Sequence, residues 1–176
     1  MRDARASRLP LLYLLFAVGC REEAGAADAA GDVARVDCSI VIGTGAARFE
    51  AVESGQVLSV VMGPQGGYHV FVAVRARGVS GDVYVDNEVV RASDGVVVGG
   101  GRACVRLTPA SGDGSAAEAS GLLAIFDEPD LAAFRGEGMP ITIRARLRAG
   151  ADVLSCRPPT APACDTRATA SLRAVR

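Results

Sequence analysis

The sequence has no lysine, no tryptophan and a single histidine, His69. Without lysine, catalysis by a side-chain amine, including Schiff-base chemistry, is excluded. A serine triad needs a histidine base, and no serine lies in the GxSxG segment that presents such a nucleophile. The run Gly99–Gly101 lacks the following lysine of a phosphate-binding loop and predicts a flexible turn between two strands. These absences predict a protein that is not an enzyme and has no cofactor.

Aromatic residues are also scarce, at 5% of the chain. Surfaces that bind nucleic-acid bases or sugars by stacking depend on aromatic side chains, and a folded core claims most of the rings in so small a chain. The shortage argues against carbohydrate recognition by stacked rings.

The first twenty residues have the layout of a signal peptide for export. Arg2, Arg5 and Arg8 form a basic leading segment, and an apolar run extends from Leu9 to Gly19. This run is too short to cross a bilayer, which needs about 20 apolar residues. We therefore predict a signal peptide over residues 1–19.

The segment Ala17-Val18-Gly19-Cys20 resembles the lipobox of bacterial lipoproteins, with alanine where leucine is usual. The resemblance implies cleavage before Cys20 and attachment of acyl chains to that cysteine, and two or more chains anchor a protein stably. Arg21 follows in place of the aspartate that retains enteric lipoproteins, which implies transfer to the outer membrane. The small, polar residues 20–35 predict a flexible tether. An ordinary signal peptide with an unmodified Cys20 stays the alternative.

Without residues 1–19 the chain carries 16 arginines and 19 acidic residues, a net charge of −3. A mildly acidic chain with no basic stripe is a poor match for nucleic acid. The expected partners are the membrane, through the lipid anchor, and other envelope proteins. The sequence thus predicts a lipid-anchored, non-enzymatic binding or structural module of the cell envelope, facing either the periplasm or the outside.

Four cysteines remain besides Cys20, namely Cys38, Cys104, Cys156 and Cys164. An even number in an exported chain predicts disulfides, with three pairings open. The short proline-rich segment between Cys156 and Cys164 favours that pair, which leaves Cys38 with Cys104. A thiol metal site is the alternative, although the CxxC spacing typical of such sites is missing.

From residue 36 to residue 176, short apolar segments alternate with glycine and polar clusters at spacings of about 8–12 residues. The clearest strand is Ile141–Leu147, where apolar residues alternate with threonine and arginine. One short helix is predicted over Glu128–Arg135, since proline suits its first turn and Gly136 its end. The pattern predicts an all-β domain of residues 36–176, an immunoglobulin-like β-sandwich of eight to ten short strands.

The segment GPQGGYH, residues 63–69, is the most distinctive in the chain. Pro64 presets a turn and the two glycines permit positive φ, so the simplest interpretation is a turn before a strand. The alternative is a metal or small-ligand binding loop formed by Gln65, Tyr68 and His69.

This segment also carries a family resemblance. Together with Gly43-Thr44-Gly45, Phe49 and a valine-rich strand ending in Arg-Ala-Arg-Gly, it resembles a group of uncharacterised exported proteins from myxobacteria that share a GPQGGxH core. The resemblance covers about residues 40–78. It implies an extracytoplasmic β-domain and brings no known activity.

Acidic residues cluster in the segment DVYVDNE, residues 82–88, and Asp94 is near in sequence. Calcium takes six to eight oxygen ligands, which Asp86, Asn87, Glu88 and Asp94 could supply in part. Because no DxDxDG loop is present, the segment predicts a solvated turn and an edge strand.

Overall fold

The computed structural model describes residues 37–127, 134–152 and 154–176. The predicted signal peptide, Cys20 and the tether lie outside the described residues. Residues 128–133, which make up most of the predicted helix, lie outside them as well. Phe134, which follows, has a fully buried side chain.

Ten strands make up most of the described part of the chain. They are β1 (Ser39–Thr44), β2 (Glu50–Ala51), β3 (Val57–Ser59), β4 (Val61–Met62), β5 (Tyr68–Arg77), β6 (Gly81–Arg91), β7 (Val97–Ala110), β8 (Asp113–Phe126), β9 (Met139–Ala149) and β10 (Asp165–Val175). The all-β prediction is confirmed, although β6 to β9, with 11 to 14 residues each, are longer than predicted. No helix in the described ranges is long and apolar enough to span a membrane.

The strands form one sheet in the order β2-β1-β5-β8-β7-β6-β9-β10-β3, with β4 also paired to β5. Neighbouring strands are antiparallel except β10 and β3, which are parallel. The segment 57–62 links two strands that are far apart in the sheet order, because β3 pairs with β10 and β4 pairs with β5. The two separate sheets of an immunoglobulin-like sandwich are not confirmed, since the ladders join all ten strands.

One face of each long strand supplies the hydrophobic core. In β9, Ile141, Ile143, Ala145 and Leu147 are at most 3% exposed, while the arginines between them point to solvent. This is the arrangement that the alternating sequence predicted, because successive side chains of a strand face opposite ways. Val70, Val72 and Val74 of β5 join the same core cluster.

The glycine run Gly99–Gly101 lies inside strand β7, so the predicted turn is wrong. A Cβ on Gly99 would lie 2.9 Å from the Cα of Phe126 and would also collide with the carbonyl oxygen of Ile125. A Cβ on Gly101 would collide with the carbonyl oxygen of Leu123. The glycines thus allow the backbone of β8 to approach β7 closely, a need that only the folded neighbours reveal.

The predicted disulfides are present, but the predicted pairing is wrong. Cys38 bonds to Cys164, with the two Cα atoms 6.1 Å apart, and Cys104 bonds to Cys156, with the Cα atoms 5.3 Å apart. Cys38 and Cys164 each directly precede a strand, and these two strands, β1 and β10, begin side by side. The second bond fixes the connection after β9 onto β7. Packing between distant segments, rather than closeness in sequence, decides the pairing.

Candidate interaction surface

The GPQGG segment forms the turn between β4 and β5. The amide of Gly63 donates to the carbonyl of Gly67 at 2.7 Å, and the amide of Gly66 donates back to the carbonyl of Gly63 at 3.0 Å. Gly66 has a φ of 86°, which glycine adopts without a steric cost. The segment therefore has the geometry of a closed hairpin turn.

The three residues predicted as a binding loop do not come together. Gln65 is exposed at the tip of the turn. Tyr68 and His69 are consecutive in β5 and point to opposite faces, and the Tyr68 hydroxyl donates to the Met62 sulfur at 3.6 Å. The His69 ring is buried on the outer face and packs edge-on against Phe71, with the ring centroids 5.1 Å apart. This is the environment of a structural histidine.

Charged side chains cover the outer face of β7, β6, β9 and β10; we call this the ionic face. In β6, Asp82 lies opposite Arg106 of β7, while Asp86 and Glu88 lie opposite Arg146 and Arg144 of β9. The Arg106 guanidinium donates to both oxygens of Asp82, at 2.7 and 3.0 Å. The ionic face is a lattice of cross-strand pairs, the stabilising contacts typical of antiparallel sheets.

The lattice continues onto β10. Arg146 donates through two nitrogens to the carboxylate of Asp165, with its Nε atom 2.7 Å from Oδ1. The Arg148 guanidinium lies 5.5 Å from the centre of the Tyr84 ring, a cation–π contact. Arg144 is held more loosely, since its Nη1 atom lies 3.8 Å from Glu88.

These pairs shift the acidity of the carboxylates. Hydrogen bonds from the Arg106 side chain lower the pKa of Asp82 below its usual value, and those from Arg146 lower the pKa of Asp165. The same pairing raises the pKa of Arg146, so its guanidinium stays charged. The lowered pKa values of Asp82 and Asp165 keep these two carboxylates charged to lower pH than a free aspartate.

A recess of about 470 Å³ lies in the ionic face, over β6, β9 and β10. Its walls are formed by Asp86, Glu88, Arg144, Ala145, Arg146, Arg167, Ala168 and Thr169. Arg167 of β10 stands directly opposite Arg146 of β9. Within the described part of the chain, Arg167 has no carboxylate within salt-bridge distance, whereas Arg146 is already paired with Asp165.

A second recess, of about 590 Å³, lies between β1 and β10. Its only arginine among the lining residues, Arg75, is already engaged, because its Nη2 atom lies 3.1 Å from Glu118 and its guanidinium lies 4.2 Å from the centre of the Phe49 ring. This recess is a seam between two strand edges that Cys38–Cys164 holds together at one end.

Asp86 and Glu88, two of the residues weighed as calcium ligands, are part of the ionic face. Asn87 is buried in β6, and Asp94 lies in the turn after β6, where its Oδ2 atom is 3.5 Å from Arg91. Asp86 and Glu88 belong to β6, a central strand of the sheet, so the predicted turn and edge strand are wrong. Both carboxylates face arginines, Asp86 lying 3.5 Å from Arg102 and Glu88 facing Arg144. In the residues that the structure describes, no group of three or more histidine, cysteine, aspartate or glutamate side chains is placed to hold a metal ion.

The alternating arginines of β9 are the part of the ionic face that the sequence predicted. Their partners were not predicted, although they show the same period of two in Asp82, Asp86 and Glu88 of β6 and in Arg102 and Arg106 of β7. Opposite charges with a shared period in separate segments are the signal that those segments pair.

No family model matches the sequence, and no curated protein matches it. Among solved structures, the chain is similar to a bacterial adhesin from Mobiluncus mulieris that contains intramolecular disulfide, isopeptide and ester bond cross-links, known in two crystal forms. In each comparison the TM-score is 0.43 and the sequence identity 10%, over 78% of this chain and 57% of the adhesin chain. The chain thus spans little more than half the length of that adhesin.

Proposed function

We propose that this protein is a lipid-anchored, non-enzymatic module of the bacterial cell envelope that binds another envelope component through the ionic face. The observation that carries the proposal is the ionic face itself. It is a wide surface of arginines and carboxylates on long, paired strands, and Cys104–Cys156 fixes the neighbouring connection onto it. Such a surface is preorganised, so binding would order few side chains.

The chemistry of the remaining groups supports binding rather than catalysis. His69 packs beneath a turn against Phe71, which is a structural role. Arginines lower the pKa of Asp82 and Asp165, and a carboxylate held in its charged form suits recognition better than proton transfer near neutral pH. The anchor at Cys20, the outer membrane as location and the tether of residues 20–35 are proposed from the sequence.

The test is to trap the bound component in living cells. A photo-crosslinking amino acid is placed at Thr142, on the outer face of β9, in a chain expressed in an envelope-bearing bacterium. The matched control places it at Ser115, on the exposed β7–β8 hairpin. We expect one discrete crosslinked species from position 142, lost when Arg144 is changed to glutamate. Equal, diffuse labelling from both positions would contradict the proposal.

A further inference from the structure

More arginines than carboxylates line the recess of the ionic face. Arg144, Arg146 and Arg167 surround it, and Thr169 adds a hydroxyl. Arg146 and Arg167 stand directly opposite each other in the β9–β10 ladder. Like charges directly opposite each other destabilise an antiparallel pair, so the Arg146–Arg167 position is unfavourable for the stability of the sheet. Local arrangements that cost stability are expected at functional sites, including binding sites.

The arginines offer donors that the protein does not satisfy. Arg167 makes no salt bridge within 4 Å in the described part of the chain, although its charge acts on the Asp165 carboxylate from farther away. The Arg144–Glu88 contact, at 3.8 Å, is too long for a hydrogen bond. A guanidinium presents its N–H groups in a planar fork that matches carboxylate, sulfate and phosphate groups. The missing partner is therefore an anionic group with several acceptor oxygens.

The carboxylates on the opposite wall of the recess restrict the chemical class of ligand that can bind. Asp86 and Glu88 stand there as acceptors. They would repel an unbroken row of phosphates, but they suit the hydroxyl groups of a sugar. A ligand that combines anionic groups with hydroxyl groups can bind the arginines and the carboxylates at the same time. Recognition of this kind does not require stacking on aromatic side chains.

We propose that the recess between Arg144, Arg146 and Arg167 binds an anionic polysaccharide, with the arginines on its acidic groups and Asp86 and Glu88 on its hydroxyls. The inference rests on the proposed function, for which it names the bound component. Carboxylated and sulfated sugars share the recognised chemistry, and the experiment distinguishes them.

The experiment measures binding of the full chain, purified in detergent, to fluorescent polygalacturonate and to fluorescent heparin, with neutral dextran as the blank. Arg167→Gln removes an arginine without breaking an ion pair. Arg48→Gln is the matched control, because Arg48 is an exposed arginine on the β1–β2 connection, and its ion pair to Glu50 spans 3.5 Å. Unchanged unfolding midpoints show that both variants are folded.

We expect binding to at least one anionic polymer and none to dextran. Arg167→Gln should weaken the affinity about tenfold, the worth of one charge-assisted contact, and Arg48→Gln less than about twofold. Arg144→Gln should weaken it as Arg167→Gln does. The slope of log affinity against log salt should fall by about one in each recess variant.

Several results would overturn the inference. They are the absence of binding to both anionic polymers, equal binding to dextran, equal losses in the Arg167 and Arg48 variants, or tighter binding to duplex DNA. If these occur while the crosslink from position 142 persists, the ligand class is wrong and the proposed function stands. If the crosslink is also lost, both fail.

Discussion

At the scale of single residues, hydrogen bonds keep four exposed aspartates ionised to unusually low pH. Arginines lower the pKa of Asp82 and Asp165, while Ser115 and Ser155 lower the pKa of Asp113 and Asp152. Each group favours the folded state only while it is a carboxylate, so acid weakens the fold through these sites.

The resulting pH dependence can be worked out from the direction of these shifts. The unfolded aspartates titrate near 3.8 and the folded ones lower, so as pH falls the unfolded chain binds protons first. We expect a constant free energy of unfolding from about pH 7 to 5 and a decline below about pH 4. Urea unfolding at a series of pH values measures this. Arg106→Gln should make the decline shallower, whereas stability that is flat or rising from pH 4 to 2 would contradict the assignment.

Glycines in β7 are required by close approach of the neighbouring backbone. Gly101→Ala should lower the free energy of unfolding by about 2–3 kcal/mol, because its Cβ would collide with the carbonyl of Leu123. Gly114→Ala is the control, since its Cβ meets nothing within 4 Å. It should change stability by less than about 0.5 kcal/mol. Equal effects in denaturant unfolding would show that close packing of β7 and β8 is not what selects glycine.

The buried position of His69 also gives a residue-scale prediction. His69→Ala should lower the free energy of unfolding by about 1–3 kcal/mol, through lost packing against Phe71 and the turn above it. Binding of copper, zinc and calcium should be the same in both proteins, as measured by calorimetric titration. A site lost on substitution would instead revive the ligand-loop alternative.

At the scale of strands, the alternating sequence predicted which face of β9 is buried. Successive side chains of a strand face opposite ways, so the spacing of apolar residues within the segment is enough to identify the buried face. The pairing of strands depends on contacts between distant segments, which the alternation within a single segment does not specify. For this reason the β7 glycines and the position of β6 in the centre of the sheet were predicted wrongly. The disulfide pairing failed for the same cause, since it follows from β1 and β10 beginning side by side.

The two disulfides should contribute differently to stability. Cys38–Cys164 joins residues 126 apart in sequence and Cys104–Cys156 residues 52 apart. Loop-closure entropy gives about 5 kcal/mol for the first and about 4 kcal/mol for the second. Paired Cys→Ser variants, compared by urea unfolding, should show the larger loss for Cys38–Cys164. A larger loss for Cys104–Cys156, or linked peptides that join Cys156 to Cys164 after peptic digestion, would contradict the pairing.

At the scale of the whole molecule, composition and period were enough to predict an all-β fold with disulfides. They did not predict a single sheet, because a sheet that continues through every strand has the same alternation as two packed sheets. The recess could not be predicted from the sequence either, since its walls come from β6, β9 and β10. Its proposed ligand depends on which arginines already have partners, and only the folded structure shows this. The proposed anchor connects this domain to a membrane through residues 20–35.

The most direct test of the account is the intact mass of the protein extracted from the membranes of an expressing bacterium, before and after reduction. We predict a polypeptide that begins at Cys20, carries two or more acyl chains, and gains four hydrogens on reduction of its two disulfides. The variant Cys20→Ala should lack the acyl mass. An unacylated chain that begins elsewhere, or a mass that reduction leaves unchanged, would contradict the account of an anchored, disulfide-braced binding module.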